Sequence, residues 1–326
     1  MMVKITVLMS IYNEPVDWIG KAIDSILNQT FNDFELILVN DKPTRIENRE
    51  LLKGFKLKDS RIIVIENDKN LGLIKSLNKG LSIARGKYIA RMDADDFSVR
   101  HRLKTQYDFM EANPDYIVCG SKIKYFGRIK KFKSNNWIKI EDNEIKAELI
   151  LNSCFAHPTV MIRKQLLWAN DICYNENYPH AEDYKFWLDL KKIGKFYNIN
   201  EVLLYYRISE QQVSSKNKLI QSSTAKRVRR EYVLDYLSEK IMEDIENNNI
   251  TIKTLKRIKK ELKKNASNDI SRNIILITYL SIKNFGILLL LNYIISLDFI
   301  KHIPPISNFF RVVENCLFPK RKMSRL

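Results

Sequence analysis

The stretch Lys87-Tyr88-Ile89-Ala90-Arg91-Met92-Asp93-Ala94-Asp95-Asp96 runs from a strand-like apolar segment straight into three carboxylates. Its apolar half reads as a buried strand, a short run bounded by a glycine and by a polar turn. Carboxylates this close repel one another and desolvate poorly, so the cluster calls for a compensating cation. Oxygen-only ligands suit a hard ion, Mg²⁺ or Mn²⁺, which keeps waters and bridges substrate phosphates. The other reading is a solvated acidic turn capping a helix that begins near Ser98. Open α/β sheets bind ligands beyond the carboxyl ends of their strands, and the cluster's position favours the metal.

Working outward, the flanking segments repeat one pattern. Ile5–Met9, Phe34–Val39 and Arg61–Ile65 read as further strands, and Val16–Gln29 and Leu71–Ala84 carry apolar residues at helical spacing. Strands alternating with helices through short loops predict a Rossmann-like, mainly parallel α/β sheet flanked by helices. Strand ends at Ser10–Glu14, Asn40–Thr44 and Asp93–Asp96 should therefore meet on one edge. Beyond residue 115 the pattern is looser, with strand candidates at Tyr116–Cys119, Thr159–Ile162 and Val202–Tyr206 and a helix starting near Ala181. From Ser214 the periodicity becomes helical, so the predicted division is 1–213 (halves 1–97 and 98–213) followed by a helical region, 214–326.

Composition narrows the classes. A chain of 326 residues with 45% apolar residues has room for about two domains and a real core, which excludes a disordered or collagen-like protein. Four cysteines (Cys119, Cys154, Cys173, Cys316) lack CxxC spacing, so neither a zinc module nor a disulfide scaffold is indicated. The chain enters its first strand without a signal-peptide-like apolar stretch, and a cytoplasmic location is expected. With 55 Lys+Arg against 38 Asp+Glu, the net charge of +17 points to nucleic acid, an anionic membrane surface or phosphorylated substrates. The basic residues lack interleaved aromatics, and no helix-turn-helix or zinc pattern appears, which argues against nucleic acid. No G-x-G-x-x-G follows the first strand, Gly80–Tyr88 has the wrong spacing for a P-loop, and a serine nucleophile elbow is missing.

Two further constellations carry chemistry. Asn40-Asp41-Lys42-Pro43-Thr44 follows the second strand, where an Asp can hold a base or ribose, or merely form a turn. Pro179-His180-Ala181-Glu182-Asp183-Tyr184 places two carboxylates at a helix start. They suit the helix dipole, and equally a general base facing an alcohol acceptor.

Together these segments closely resemble the family 2 glycosyltransferases. The resemblance rests on six motifs in order: Ser10-Ile11-Tyr12-Asn13-Glu14, Ser25–Thr30, Phe34–Asp41, Asn70-Leu71-Gly72, Ala84–Tyr88 and Arg91–Asp96. It implies the GT-A fold over roughly residues 3–212, in bacterial enzymes of the capsule, O-antigen or lipopolysaccharide type. It also implies transfer of a sugar from a nucleotide-diphosphate sugar, UDP by family habit, with inversion and a divalent metal. Ile11, Tyr12, Asn13, Glu14, Asp41, Asn70 and Arg91 then fall on the donor side. Asp93 and Asp95 match metal positions, and Asp93 and Asp96 donor contacts. Asp183 matches the base, with Glu182 beside it, and His157 and His180 lie toward the acceptor. Tyr206-Arg207 through Val213-Ser214 resembles a Tyr-Arg-x-His-x-x-x-x-Ser segment that closes over the diphosphate. Two departures stand out: Asn40-Asp41-Lys42-Pro43 replaces the usual Asp-Asp-Gly-Ser, and Ser209 stands where His is common.

A catalytically silent binding module is the rival reading, which the intact acidic motifs oppose. In the tail, residues 216–264 carry 14 Lys+Arg against 7 Asp+Glu, and the longest uncharged run within 273–300, 284–297, has 14 residues. That is short of the ~20 needed to span a bilayer. A basic amphipathic stretch suits attachment to the inner face of the cell membrane, where related enzymes extend polyprenyl-diphosphate-linked glycans. Packing on the catalytic domain, or on a second subunit in a homodimer, is the alternative.

Overall fold

A computed structural model of the protein describes residues 3–127, 137–209, 217–247, 249–271 and 273–274. The first part alternates as expected: β1 (Ile5–Ile11), α1 (Val16–Leu27), β2 (Phe34–Asn40), α2 (Ile46–Lys58), β3 (Ile62–Glu66), α3 (Leu73–Ile83) and β4 (Tyr88–Asp93). These strands pair in parallel in the order β3-β2-β1-β4. Every residue of β2 is buried, and only Ser10 of β1 is partly exposed, as befits strands covered on both faces. α1 buries the stripe Ile19, Ala22, Ile23 and Ile26. At Gly86 a Cβ would stand 2.3 Å from the Thr6 backbone nitrogen, so only glycine lets the chain pass β1 on its way into β4.

The helix α2 has no counterpart in the apolar pattern. Only Asn48 and Leu52 are buried on it, while Ile46 and Leu57 are exposed, so its sequence lacks the stripe that betrays a helix.

The sheet continues with β5 (Phe97–Ser98), α4 (Arg102–Ala112), β6 (Tyr116–Gly127), α5 (Asp142–Glu148), a 3₁₀ turn (His157–Thr159), β7 (Met161–Arg163), α6 (Lys164–Ala169), α7 (Glu182–Leu190) and β8 (Lys195–Ile208). The full order is β3-β2-β1-β4-β7-β6-β8-β5. β7 runs antiparallel to β4 and β6, and β5 antiparallel to β8, whereas β6 and β8 are parallel. The parallel expectation therefore describes the first four strands, and the complete sheet is mixed. Thr159 closes the 3₁₀ turn rather than opening a strand, with Pro158 near its start where a missing N–H costs nothing.

Compactness divides the chain into Met1–Asp235 and Tyr236–Leu326. The helix α8 (Lys218–Leu234) thus belongs with the sheet, although composition changes near 213. It buries Val228, Tyr232 and Val233, and the Tyr232 hydroxyl donates to the Lys146 carbonyl at 2.7 Å. In the second unit, α9 (Glu239–Glu246) and α10 (Ile252–Asn265) bury Ile241, Met242 and Ile245, and Leu255, Ile258 and Leu262. Among the described residues, no helix is long and apolar enough to cross a membrane. The uncharged run 284–297 lies outside them.

Candidate active site

Asp93 ends β4, and Asp95 and Asp96 lie in the turn to β5; one carboxylate oxygen from each lies within 4.8 Å of the others. No helix starts at Ser98, which pairs in β5 with Leu204 of β8. The capping reading of the acidic turn fails on this geometry, because α4 begins only at Arg102. Burial, and then the charges of Asp93 and Glu14, push the Asp95 carboxyl up to about 7. Asp96 is 1% exposed and is pushed up by burial and by its two neighbours. Its Oδ1 accepts from the Arg207 backbone N–H at 2.7 Å, while its buried Oδ2 has no hydrogen-bond partner among the described residues. A buried carboxylate oxygen left bare costs free energy unless a cation meets it. The oxygen-only donor set and this bare atom fit Mg²⁺ or Mn²⁺.

Arg91, on β4, stands 2.5 Å from Asp93 through Nη1 and Oδ2. Burial opposes its charge, but Asp93 outweighs that and holds the guanidinium protonated. Its buried Nε has no hydrogen-bond partner among the described residues.

The ends of β1 and β2 build the neighbouring wall. The Tyr12 ring is 42% exposed beside Lys42, whose Nζ lies 5.3 Å from the ring centroid and donates to Asn13 Oδ1 at 2.6 Å. The Tyr12 N–H donates to Glu14 Oε2 at 2.8 Å, and burial pushes the Glu14 carboxyl up. Asp41 is occupied within the fold. Its Oδ1 accepts from Asn67 Nδ2 and the Leu71 N–H, at 2.9 and 2.7 Å, and its Oδ2 from the Gly72 N–H at 2.9 Å. Three of the roughly four acceptor sites of a carboxylate are thereby used in holding the Asn70–Gly72 loop. Gly72, with φ +85°, makes the turn into α3, and its N–H is shared with Asn70 Oδ1 at 3.0 Å.

Glu182 and Asp183 open α7. The Tyr184 N–H donates to Asp183 Oδ1 at 2.7 Å, and the Ser153 hydroxyl to Oδ2 at 3.1 Å. Burial pushes the Asp183 carboxyl up, and these donors with Arg91 pull it back. Glu182, 8% exposed, is pushed up to about 7 by burial and then by Asp183. Arg91 therefore acts on both acidic groups, pairing with Asp93 and favouring the charged forms of Glu182 and Asp183. His157 is buried, and its Nε2 lies 2.7 Å from the Tyr174 hydroxyl. Burial and Arg91 push its pKa well below the usual value, so it is neutral. His180 adopts φ 63°, and its carbonyl accepts from Gln221 Nε2 at 3.1 Å.

The raised Glu182 pKa sets a stability prediction with a definite sign. In the unfolded chain the group titrates near 4.5, so the folded protein binds its proton more tightly and loses stability as pH rises from 4.5 through 7. Glu182→Gln removes that cost, and should raise unfolding stability by about 1–3 kcal/mol at pH 8 with little gain at pH 5. Urea midpoints at both pH values check this; an equal effect at each would contradict it.

Arg207, on β8, packs its guanidinium 4.0 Å from the Trp18 centroid and 4.4 Å from that of Phe126, and Nε donates to the Asp95 carbonyl at 2.7 Å. Its side chain therefore braces the acidic turn from behind. Ser214 lies outside the described residues.

One residue escaped the sequence reading. Arg102 is fully buried, and burial drives its pKa down to about 9. It donates to the Arg91 carbonyl (Nη2, 2.7 Å) and to Gln106 Oε1 (Nε, 2.9 Å), with Nη1 3.4 Å from Met92 Sδ. Gln106 Nε2 in turn reaches the Cys119 and Thr159 carbonyls at 2.9 and 2.8 Å. The pair ties the end of β4 to β6 and to the His157–Thr159 turn. Spacing gave no signal for it, because Arg102 sits where an exposed first helical turn is expected.

Comparisons with known proteins identify the family and the fold. The glycosyl transferase family 2 model matches residues 6–170. An uncharacterized glycosyltransferase of Haemophilus influenzae is 32% identical, with 89% of this chain and 90% of that protein covered. The O-antigen biosynthesis glycosyltransferase WbnJ of Escherichia coli is 33% identical, over 63% and 79%. Among solved structures, S. aureus TarS 1–349 in complex with UDP-GlcNAc superposes with a TM-score of 0.57 at 19% identity, over 96% of this chain and 90% of that one. The mannosyltransferase PcManGT of Pyrobaculum calidifontis, in complex with GDP-Man and Mn²⁺, gives 0.54 at 13%, over 96% and 79%. The architecture is the GT-A fold. With its strand-end acids, its mixed sheet and the matched family model, the chain belongs to glycosyltransferase family 2.

Proposed function

We propose that this glycosyltransferase moves a hexose or N-acetylhexosamine from a UDP-sugar to a hydroxyl of a glycan or lipid-linked glycan, with inversion, in surface-polysaccharide synthesis. The observation that carries the reading is Arg91. One buried guanidinium lies beside Asp93 and within electrostatic reach of Glu182 and Asp183, which come from a helix some ninety residues later. A donor-side acid cluster and an acceptor-side carboxylate pair thus share one site. The O-antigen role of WbnJ and the UDP-GlcNAc bound by TarS support the substrate class.

In this reading Tyr12 offers its exposed ring face to the nucleobase beside Ile11 and Asn13. Asp41 acts indirectly, by holding the Asn70–Gly72 loop. Asp93 and Asp95 would hold the divalent ion, with Asp96 and Glu14 nearby; when bound, the ion neutralises charge developing on the departing diphosphate. Arg91 adds a fixed positive charge, and Arg207 keeps the acidic turn in position. Asp183, aimed by Ser153 and the Tyr184 N–H, takes the proton of the acceptor hydroxyl as that oxygen attacks the anomeric carbon. Glu182, its carboxyl pushed up to about 7, holds its proton more tightly than a free carboxyl and so limits the negative charge of the pair, and buried His157, with His180, borders the acceptor side. The acceptor is proposed to be presented at the inner face of the membrane.

The test is release of nucleoside diphosphate from a panel of nucleotide sugars, with the anomeric configuration of the product read by NMR. Expected are UDP release, an anomer opposite to the donor's, loss of both in EDTA and recovery with Mn²⁺ or Mg²⁺. Full activity in excess EDTA, or a retained anomer, would overturn the metal or the inversion respectively, and binding without any turnover would favour a silent module.

A further inference from the structure

The excess positive charge of the tail is not spread evenly. Of the residues 216–264, α9 is acidic, with Glu239, Glu243, Asp244 and Glu246 against Lys240. The helix α10 carries Lys253, Lys256, Arg257, Lys259, Lys260, Lys263 and Lys264 against the single acid Glu261. Its apolar side is already used, because Leu255, Ile258 and Leu262 are each 2–3% exposed. Its ends are fixed within the same unit. Thr251 caps the first turn by accepting from the Thr254 N–H, Thr254 Oγ1 donates to Asp244 at 3.0 Å, and the Ser238 N–H donates to Glu261 at 2.7 Å. Lys253, Lys256, Lys260, Lys263 and Lys264 are exposed. At 100° per residue they fall on one face, and at 1.5 Å per residue they line about 17 Å of it.

This arrangement separates two modes of membrane attachment. An inserting amphipathic helix needs a free apolar face to bury in the acyl boundary. Here that face is taken, and what remains is a lysine stripe on the exposed side of the helix. Each such charge near an anionic leaflet strengthens binding about fivefold, acting within a Debye length. We propose that α10 docks the protein on anionic phospholipid through its exposed lysines, lying along the surface without inserting. The proposal refines the membrane-side acceptor reading above by naming the surface and the mode, and it does not depend on the sugar transferred.

The full chain is mixed with vesicles of phosphatidylcholine alone, and of equal parts phosphatidylcholine and phosphatidylglycerol, and sedimented. Expected are binding to the anionic vesicles only, release by about 0.5 M NaCl, and about a hundredfold weaker binding for Lys256→Glu/Lys260→Glu/Lys263→Glu. Inorganic phosphate at matched ionic strength should compete no better than chloride, which separates a lipid surface from a single phosphate site. Binding to neutral vesicles, binding that survives high salt, an unaffected triple variant, or tighter binding to duplex DNA would each overturn the proposal. Nucleoside-diphosphate release is followed on the same preparations. The triple variant should retain it with a soluble acceptor, so loss of vesicle binding and loss of catalysis report on different claims.

Discussion

Asp183→Asn is expected to lower turnover by at least a hundredfold while donor binding stays within about threefold of wild type. The substitution keeps the size and removes the one property a base needs, a carboxylate able to take a proton. The Tyr184 N–H and the Ser153 hydroxyl hold the present carboxylate from two sides, at 2.7 and 3.1 Å, so its orientation is set before substrate arrives. An asparagine can still accept one of these bonds through its oxygen, which limits structural damage. Donor affinity, measured by calorimetry with UDP, should hardly change because the nucleotide side proposed above lies on β1, β2 and β4 and not on α7. Turnover within about threefold of wild type would remove Asp183 from the mechanism. Glu182→Gln makes a useful companion, since it alters the same pair yet leaves the Asp183 carboxylate in place.

Arg102→Met should cost about 2–5 kcal/mol of folding stability, the second large effect. The buried guanidinium serves the Arg91 carbonyl and Gln106 Oε1, and methionine would leave both acceptors buried and unpaired. Methionine itself packs well and carries no charge to desolvate, which offsets part of the loss. Because Arg102 holds the backbone two residues before Asp93, the variant should also weaken Mn²⁺ binding several-fold, read by titration in the absence of substrate. Arg102→Lys keeps the charge but not the planar fork, and should fall between the two. Destabilisation below about 1 kcal/mol, with unchanged Mn²⁺ affinity, would reduce Arg102 to a packing residue.

How much of this was legible beforehand depended on the kind of signal. The strands β1, β2 and β4 announced themselves as continuous apolar runs because both their faces are covered, and α1 because its buried stripe has helical spacing. Helix α2 was invisible, since it buries little and its apolar residues Ile46 and Leu57 face solvent. The short strands β5 and β7 are defined by their partners, β8 on one side and β4 with β6 on the other, and two or three residues carry no period of their own. The end of the first compact unit was displaced for a related reason. Composition turns helical and basic near 213, yet α8 buries Tyr232 and belongs with the sheet.

By itself the sequence determined the alternation of strand and helix, the acids at the strand ends and the family, because these depend on residue type and short-range spacing. It also determined the charge of +17. Tertiary structure alone decided what those acids face. It brought Arg91 beside Asp93 and within electrostatic reach of the Glu182–Asp183 pair, turned Asp41 inward to hold a loop, and buried Arg102 against the Arg91 carbonyl. It also covered the apolar side of α10 and left its lysines outside. Pairings of this kind join residues tens of positions apart, and the burial that shifts their pKa values exists only once the chain has closed around them.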